Sequence, residues 1–387
     1  MPAARAQDDR AGAAATSRKL SVAGVDPELR FAGGEVQVLG LTMELLRRGH
    51  RAELICDPRG RLFERARAAG VRCHPLAIRN AIDLRAALNL RHLLRPGRYD
   101  IVHFHTARAH ALAPYVGGLA AARVVTRRMD YRPNRLFAPW LYNRAVEGVA
   151  AISTGVVDAL TEAGVARSRI ALIPSGIDES RFRPPTPAER AAARSRWQLG
   201  DDQLAIGTVS ALEPRKGHRV MLAAFATLAM GAGAPLIWLA AGEGSLAGPL
   251  RQEVRRMKLE ERVRFVGQLA DSRDLLWALD LFAMPSLKEG LGVALLEAMG
   301  CGLAAIASDV GGAGAAIAGG AGLAVAPDEP ARLAGAIRRL AESEAMRREL
   351  GAAARARVLE RYTLGASAEA TLKFYFNSLE SSGRRGA

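Results

Sequence analysis

The stretch "EGLGVALLEAMGCG" (289–302) holds two carboxylates, Glu289 and Glu297, eight positions apart in an otherwise uncharged run. Glu289 leaves the buried-strand pattern "DLFAMPS" beside Gly290, Leu291 and Gly292, and Glu297 sits inside an apolar helical pattern starting near Gly292. A helix start there offers free N–H groups and a partial positive charge to an oxygen-rich or anionic ligand, and the glycines let it approach the backbone. The acids are then either two grips on the hydroxyls of one extended ligand, or a helix-dipole acid and a salt-bridged helix acid.

Other polar groups fall where strands end. "VSALEPRKGH" (209–218) puts Arg215 and Lys216 just before Gly217, a place for a mobile cation facing a diphosphate across a cleft from the acids, or for a solvated loop lysine. "AGGEVQ" (32–37) joins the first strand to its helix, and Gly33 and Gly34 would admit phosphate oxygens, although GxGxxG is absent. "HFHTARAH" (103–110) places His103 and His105 on one strand face. With no third ligand nearby in sequence, no metal is expected. "TRRMDY" (126–131) brings Arg127, Arg128 and Asp130 to the same rim.

These residues need elements to hold them. Short β-type runs alternate with amphipathic helices: 19–25, 52–56, 100–105, 123–126, 148–153 and 170–174 read as strands, then 204–209, 236–242, 263–267, 280–285 and 303–308. Helices are expected over 35–50 and 153–165, among others. Such alternation implies right-handed βαβ units, parallel sheets covered on both faces, and ligands outside the carboxyl ends of the strands. The proline-rich segment 175–190 reads as an interdomain linker. The expected organisation is a disordered lead at 1–18, one doubly wound domain at 19–183, a second at 184–361, and a C-terminal helix and tail at 362–387.

The 387 residues exceed one compact core, which supports two domains. Three cysteines without metal-ligand spacing fit a reducing compartment, and no signal-peptide pattern opens the chain. The uncharged run 222–242 is broken by "GAGAP", so it reads as a helix followed by a buried strand rather than a membrane span. Residues 1–185 carry 29 Lys and Arg against 17 Asp and Glu. That excess suits phosphate-bearing partners or an anionic membrane surface, and arginine-rich coding would produce it too. No nucleic-acid motif accompanies it.

Taken together, "GGEVQVLGLTMELLRRGH", "IPSGIDESRFRP", "EPRKGH", "VRFVGQL", "PSLKEGLGVALLEAMGCG" with its E-x7-E, "ASDVGG" and "GLAVAPDEPARLAGAI" stand in an order that resembles the retaining glycosyltransferases of the GT-B fold, family 4 (glycosyl transferases group 1), from about Lys19 to Glu380. The resemblance implies two Rossmann-like domains facing across a cleft, with the C-terminal helix crossing back to the first. It implies a nucleotide-diphosphate sugar on the second domain: Glu289 at the sugar hydroxyls, the backbone of Gly290, Leu291 and Gly292 near sugar or phosphate, Glu297 at the ribose, Lys216 with Arg215 at the diphosphate, and Val266 and Gly267 beside the base. From the first domain, Gly33 and Gly34 would approach the diphosphate or the acceptor, with His105 acting at the reacting end. Glu35, Arg127 and Arg128 would stand near the acceptor.

The implied chemistry needs no cofactor, metal or protein nucleophile, and the implied acceptor is a glycan or lipid-linked molecule of envelope synthesis at the cytoplasmic membrane face. The chain departs from the family pattern in having Ser210, Ala211 and Leu212 where Gly-Arg-Leu is usual, Arg127–Arg128 where many members carry a histidine, and Gly314–Ala315 where Pro-Glu is usual. The alternatives are a non-catalytic GT-B module that binds glycan or a partner, another GT-B enzyme such as a phosphorylase or sugar-nucleotide epimerase, and a nicotinamide-dependent Rossmann enzyme.

Overall fold

Apolar runs of four to eight residues, rich in Val, Ile, Leu and Ala, become the buried strands of two parallel sheets. The computed structural model describes residues 18–229 and 235–383, so the expected lead at 1–18 lies outside the described residues except for Arg18. The first sheet comprises β1 (Ser21–Asp26), β2 (Arg51–Cys56), β3 (Arg72–Pro75), β4 (Tyr99–Phe104), β5 (Ala120–Arg127), β6 (Gly148–Ala151) and β7 (Ile170–Leu172). Its order is β3-β2-β1-β4-β5-β6-β7. The second comprises β8 (Leu204–Val209), β9 (Leu236–Ala241), β10 (Val263–Gly267), β11 (Leu281–Met284), β12 (Ala304–Ser308) and β13 (Leu323–Val325), in the order β10-β9-β8-β11-β12-β13.

Every pairing is parallel, so each connection crosses over one face of its sheet. The strand order reverses between β1 and β4 in one sheet and between β8 and β11 in the other. At such switch points the adjacent loops diverge and leave a crevice at the carboxyl edge.

The chain divides into two compact units, one of residues 1–152, 156–173 and 367–387, the other of residues 153–155 and 174–366. In the first, Leu20, Val22, Ile101, Val124, Phe374 and Tyr375 pack on one face, and Val38, Leu54, Leu62 and Ala66 form a separate cluster. In the second, Ile206, Phe225, Trp238, Leu281, Ile306 and Ile337 form one continuous core. Each fully buried side chain of this size contributes about 1.5–3 kcal/mol of transfer free energy.

The uncharged run 222–242 resolves into the helix His218–Ala229 and β9. No helix among the described residues is long and apolar enough to cross a membrane. Strands β3 and β13 lack a sequence signal: β3 is "RCHP", with no apolar pair, and β13 is three residues long. Both are edge strands, where one unpaired side relaxes the demand for continuous hydrophobicity.

The C-terminal helix, Leu364–Gly383, returns to the first unit. There the Tyr375 hydroxyl and His103 Nδ1 are hydrogen-bonded at 2.7 Å, and Phe374 and Ser378 cover Gly148 on β6. A Cβ at position 148 would lie 2.6 Å from the Phe374 ring and 2.9 Å from Ser378 Oγ. Gly148→Ala is therefore expected to destabilise the first unit by about 1–3 kcal/mol through overpacking. A urea transition of unchanged midpoint would show that this helix does not depend on the contact.

Candidate functional site

Residue types in the second unit bring its chemistry to the β8/β11 switch point. After β8 the chain turns through Ser210–Glu213 into a short 3-10 turn, Pro214–Lys216, and Gly217 with φ +68°. A Cβ on Gly217 would sit 1.8 Å from the Pro285 carbonyl oxygen, so only glycine lets this loop close onto the one leaving β11. The Arg215 carbonyl accepts the N–H groups of Leu287 (2.8 Å) and Lys288 (3.2 Å), which fixes the two loops side by side.

That lock delivers Lys216 to Glu289, and the two side chains form an ion pair with only 11% and 9% of their surfaces exposed. Lys216 thus does not face the acid across a cleft: both belong to one unit, on loops from adjacent strands, and they touch. Ser286 Oγ donates a longer bond of 3.4 Å to the same carboxylate oxygen. Gly311, at φ +55°, would place a Cβ 1.8 Å from the Glu289 carbonyl, and the Gly312 N–H donates to the Gly290 carbonyl at 2.9 Å. The loop after β12 therefore clamps the backbone of Glu289 and Gly290 from the other side. Leu291 is buried.

Gly292, at φ +85°, opens the helix Val293–Gly300 with no side-chain cap. Its leading N–H groups are left for a ligand or for water. Glu297 is the fifth residue of that helix and accepts from Ser272 Oγ at 2.8 Å. Burial, reinforced by the nearby Asp271 charge, pushes the Glu297 carboxyl up to about 7.

Arg215 is half-exposed and holds Glu213 at 2.9 Å, so its backbone rather than its guanidinium shapes the site. His218, whose imidazole is pushed down to about 4 by burial and by Lys216, meets Ser210 Oγ at 3.3 Å. Val266 and Gly267 end the edge strand β10, where the register with β9 shifts, and the Gly242 N–H donates to the Gly267 carbonyl at 2.8 Å.

The first unit gathers a second group at its own switch point. The helix starts at Gly33, two residues earlier than the periodicity predicts, and runs to Arg47. Glu35, in its first turn, folds back to accept the Ala32 N–H at 2.7 Å, a capping role that the sequence reading did not assign. His105 ends the β4 edge with its ring 3.9 Å from that of His103. Both rings are buried, and burial drives both well below the ordinary histidine range.

Arg127 donates from its two terminal nitrogens to the Tyr142 hydroxyl at 3.0 Å and to the Tyr131 carbonyl, and stacks 4.7 Å from the Tyr131 ring, while its Nε is buried without a partner. Arg128 lies against Gly34. Asp26, which closes β1, is buried and pushed up to about 7 by burial and by Glu35. Asp26, Ser272 and Ser286 were not singled out by sequence. The available signal for Asp26 was an acid closing an apolar strand; the two serines carry none.

Two family models match the chain in succession: Glycosyltransferase Family 4 over residues 31–181 and Glycosyl transferases group 1 over residues 189–357. A D-inositol 3-phosphate glycosyltransferase of Streptomyces avermitilis is 31% identical over 324 residues, 75% of this chain and 68% of that protein. A GDP-mannose-dependent alpha-(1-6)-phosphatidylinositol monomannoside mannosyltransferase of Mycobacterium tuberculosis H37Rv is 30% identical over 270 residues, 64% of this chain and 68% of that protein. Two other curated relatives are matched over only 38% and 50% of their own lengths. Among solved structures, Anabaena Alr3699/HepE in complex with UDP and glucose superposes with a TM-score of 0.81 at 20% identity, covering 92% of this chain and 98% of that one, which establishes the shared fold. With two doubly wound parallel sheets and both family models in order, the chain belongs to the GT-B glycosyl transferases group 1, family 4.

Proposed function

We propose that this protein is a retaining glycosyltransferase that moves a sugar from a nucleotide-diphosphate sugar to a glycan or lipid-linked acceptor in envelope glycan synthesis. The observation that carries the reading is the desolvated Lys216–Glu289 pair at the β8/β11 switch point, beside the uncapped start of the helix Val293–Gly300. On this reading the donor divides the pair. Its diphosphate takes the Lys216 ammonium and the helix N–H groups, while Glu289 turns to the sugar hydroxyls and Glu297 to the ribose.

Charge that develops on the leaving diphosphate is met by Lys216 and the helix N-terminus, so the reaction is driven by electrostatic stabilisation and requires neither metal nor protein nucleophile. HepE, of the same fold, was solved with UDP and glucose, and two relatives are named for sugar transfer to an inositol phosphate and to a phosphatidylinositol mannoside; these support a nucleotide-sugar donor and an acceptor of that general kind. Gly33, Gly34, His105 and Arg128 mark the acceptor side within the first unit. A non-catalytic glycan-binding module is the reading that Ala211 and Ala315 favour, since each stands where the family pattern has a charged side chain.

Transfer separates the two readings. With UDP-, GDP- and ADP-sugars as donors, purified protein is expected to turn over at least one, and Glu289→Ala or Lys216→Ala should each lower kcat by roughly 10²–10³-fold with the fold retained. Turnover indifferent to both substitutions would sink the site assignment.

The raised Glu297 carboxyl sets a pH dependence. The ionised form makes the stronger, charge-assisted hydrogen bonds to both ribose hydroxyls, and with a value of about 7 it ionises as pH rises through neutrality. Nucleoside diphosphate affinity should accordingly rise roughly tenfold between pH 6 and 8. Glu297→Gln should flatten that profile in calorimetric titration; an unchanged slope would remove Glu297 from the ribose.

Peripheral attachment to the inner face of the membrane is part of the same proposal. Leu136, Phe137 and Trp140 are 84%, 66% and 51% exposed, next to Arg135 and to Arg132, which pairs with Glu162, an apolar surface flanked by cations and suited to an anionic interface. Sedimentation with anionic vesicles should exceed that with zwitterionic vesicles and fall in Phe137→Ser with Trp140→Ser; indifference to lipid charge would count against attachment.

A further inference from the structure

A serine or threonine at the start of a helix ordinarily uses its hydroxyl on the helix itself, accepting one of the leading N–H groups. Thr106, Thr186 and Ser343 do so in this chain, at 3.2, 3.3 and 3.2 Å. Ser272, which opens the short helix Arg273–Leu276 after β10, does not. Its backbone is helical rather than extended, at φ −69° and ψ −20°, and its hydroxyl caps nothing. It donates instead to Glu297 Oε2 at 2.8 Å, across 25 positions of sequence.

The preceding residue makes this diversion possible. Asp271 Oδ1 accepts the Arg273 N–H at 3.0 Å, so the turn into the helix is bonded without the serine. The Asp271 carboxylate is held in turn by the Arg273 guanidinium and by Arg181 at 3.1 Å. The bond from Arg273 pulls Asp271 down to about 2, so it stays ionised and the loop from which Ser272 reaches stays fixed.

Glu297 has few other means of being held. It is half-buried on the helix Val293–Gly300, and among the described residues Ser272 is the one side chain that donates to it, while Oε1 has no hydrogen-bond partner. The charges that face it oppose one another: Asp271 disfavours its ionised form and Arg181 favours it. Cys301, one turn on, is buried beside it and stays a neutral thiol, pushed up to about 12 chiefly by burial.

We propose that Ser272 is a positioning residue for nucleotide recognition: its hydroxyl pins Glu297 Oε2, so that Oε1 is turned outward as the acceptor for a ribose hydroxyl. The inference rests on the reading of Glu297 as the ribose contact and adds the residue that acts through it. A free glutamate side chain loses rotamer freedom each time it grips a ligand, and a pinned one has lost it already. A hydroxyl donated to the carboxylate also favours the ionised form, the one that binds hydroxyls most strongly.

Two titrations of the full chain test the inference, one without nucleotide and one with it. In protein carrying carbon-13 in its glutamate carboxyls, the Glu297 signal is assigned by its loss in Glu297→Ala and followed across neutral pH. Ser272→Ala should raise its midpoint by about one pH unit, because the charged form loses a donor, and Ser272→Thr should restore it. In calorimetry at pH 8, UDP or GDP should bind Ser272→Ala roughly fivefold more weakly than wild type, with Ser272→Thr close to wild type. Adding Ser272→Ala to Glu297→Ala should weaken binding no further, since the serine acts through the glutamate. An unmoved midpoint in Ser272→Ala, or a nucleotide affinity that depends on Glu297 and is indifferent to Ser272, would overturn the proposal alone. Nucleotide binding indifferent to Glu297→Ala would remove the ribose reading and the proposal with it, while the nucleotide-free midpoint would still report the bond between Ser272 and Glu297.

Discussion

The ion pair between Lys216 and Glu289 is the interaction on which the second unit's candidate site depends. Withdrawn from water, such a pair gains little net stability, because desolvation offsets most of the attraction. Its value lies in what it holds ready: a cation and a carboxylate, each satisfied for the moment, each able to accept a better partner. The neighbouring geometry exists to deliver it. Gly217 closes one loop onto Pro285, the Arg215 carbonyl ties that loop to the next, and Gly311 and Gly312 press on the backbone of Glu289 and Gly290. Substituents at these glycines would force the loops apart by distances no side-chain adjustment absorbs, since the opposing atoms are backbone.

Topology explains why the groups meet where they do. Both sheets reverse strand order once, between β1 and β4 and between β8 and β11, and both collections of polar side chains stand at those reversals. In the second unit the collection is dominated by a satisfied ion pair and an uncapped helix. In the first it gathers two buried, stacked histidines and two acids of raised proton affinity, Asp26 and Glu35.

Much of this was legible in the sequence. Apolar runs bounded by glycine and proline located all but two strands, because interior parallel strands need hydrophobicity on both faces; β3 and β13 escaped because edges do not. Glu289, Glu297 and Lys216 stood out because charges are costly in apolar patterns. What sequence could not show was contact. Lys216 and Glu289 are 73 positions apart, and only the adjacency of β8 and β11 makes them touch. Nor could it show that Arg127, of the two neighbouring arginines, is the one whose terminal nitrogens are taken by Tyr142 and Tyr131. Glu35 looked like a ligand contact and is in part a helix cap.

The central claim is that a nucleoside diphosphate displaces Glu289 from Lys216. A double-mutant cycle read by the affinity for UDP or GDP tests it most directly, using Lys216→Met, Glu289→Gln and the double variant. Lys216→Met is expected to weaken binding, Glu289→Gln to strengthen it by releasing the ammonium, and the double variant to bind like Lys216→Met. Equal weakening by both single substitutions, adding in the double variant, would contradict it.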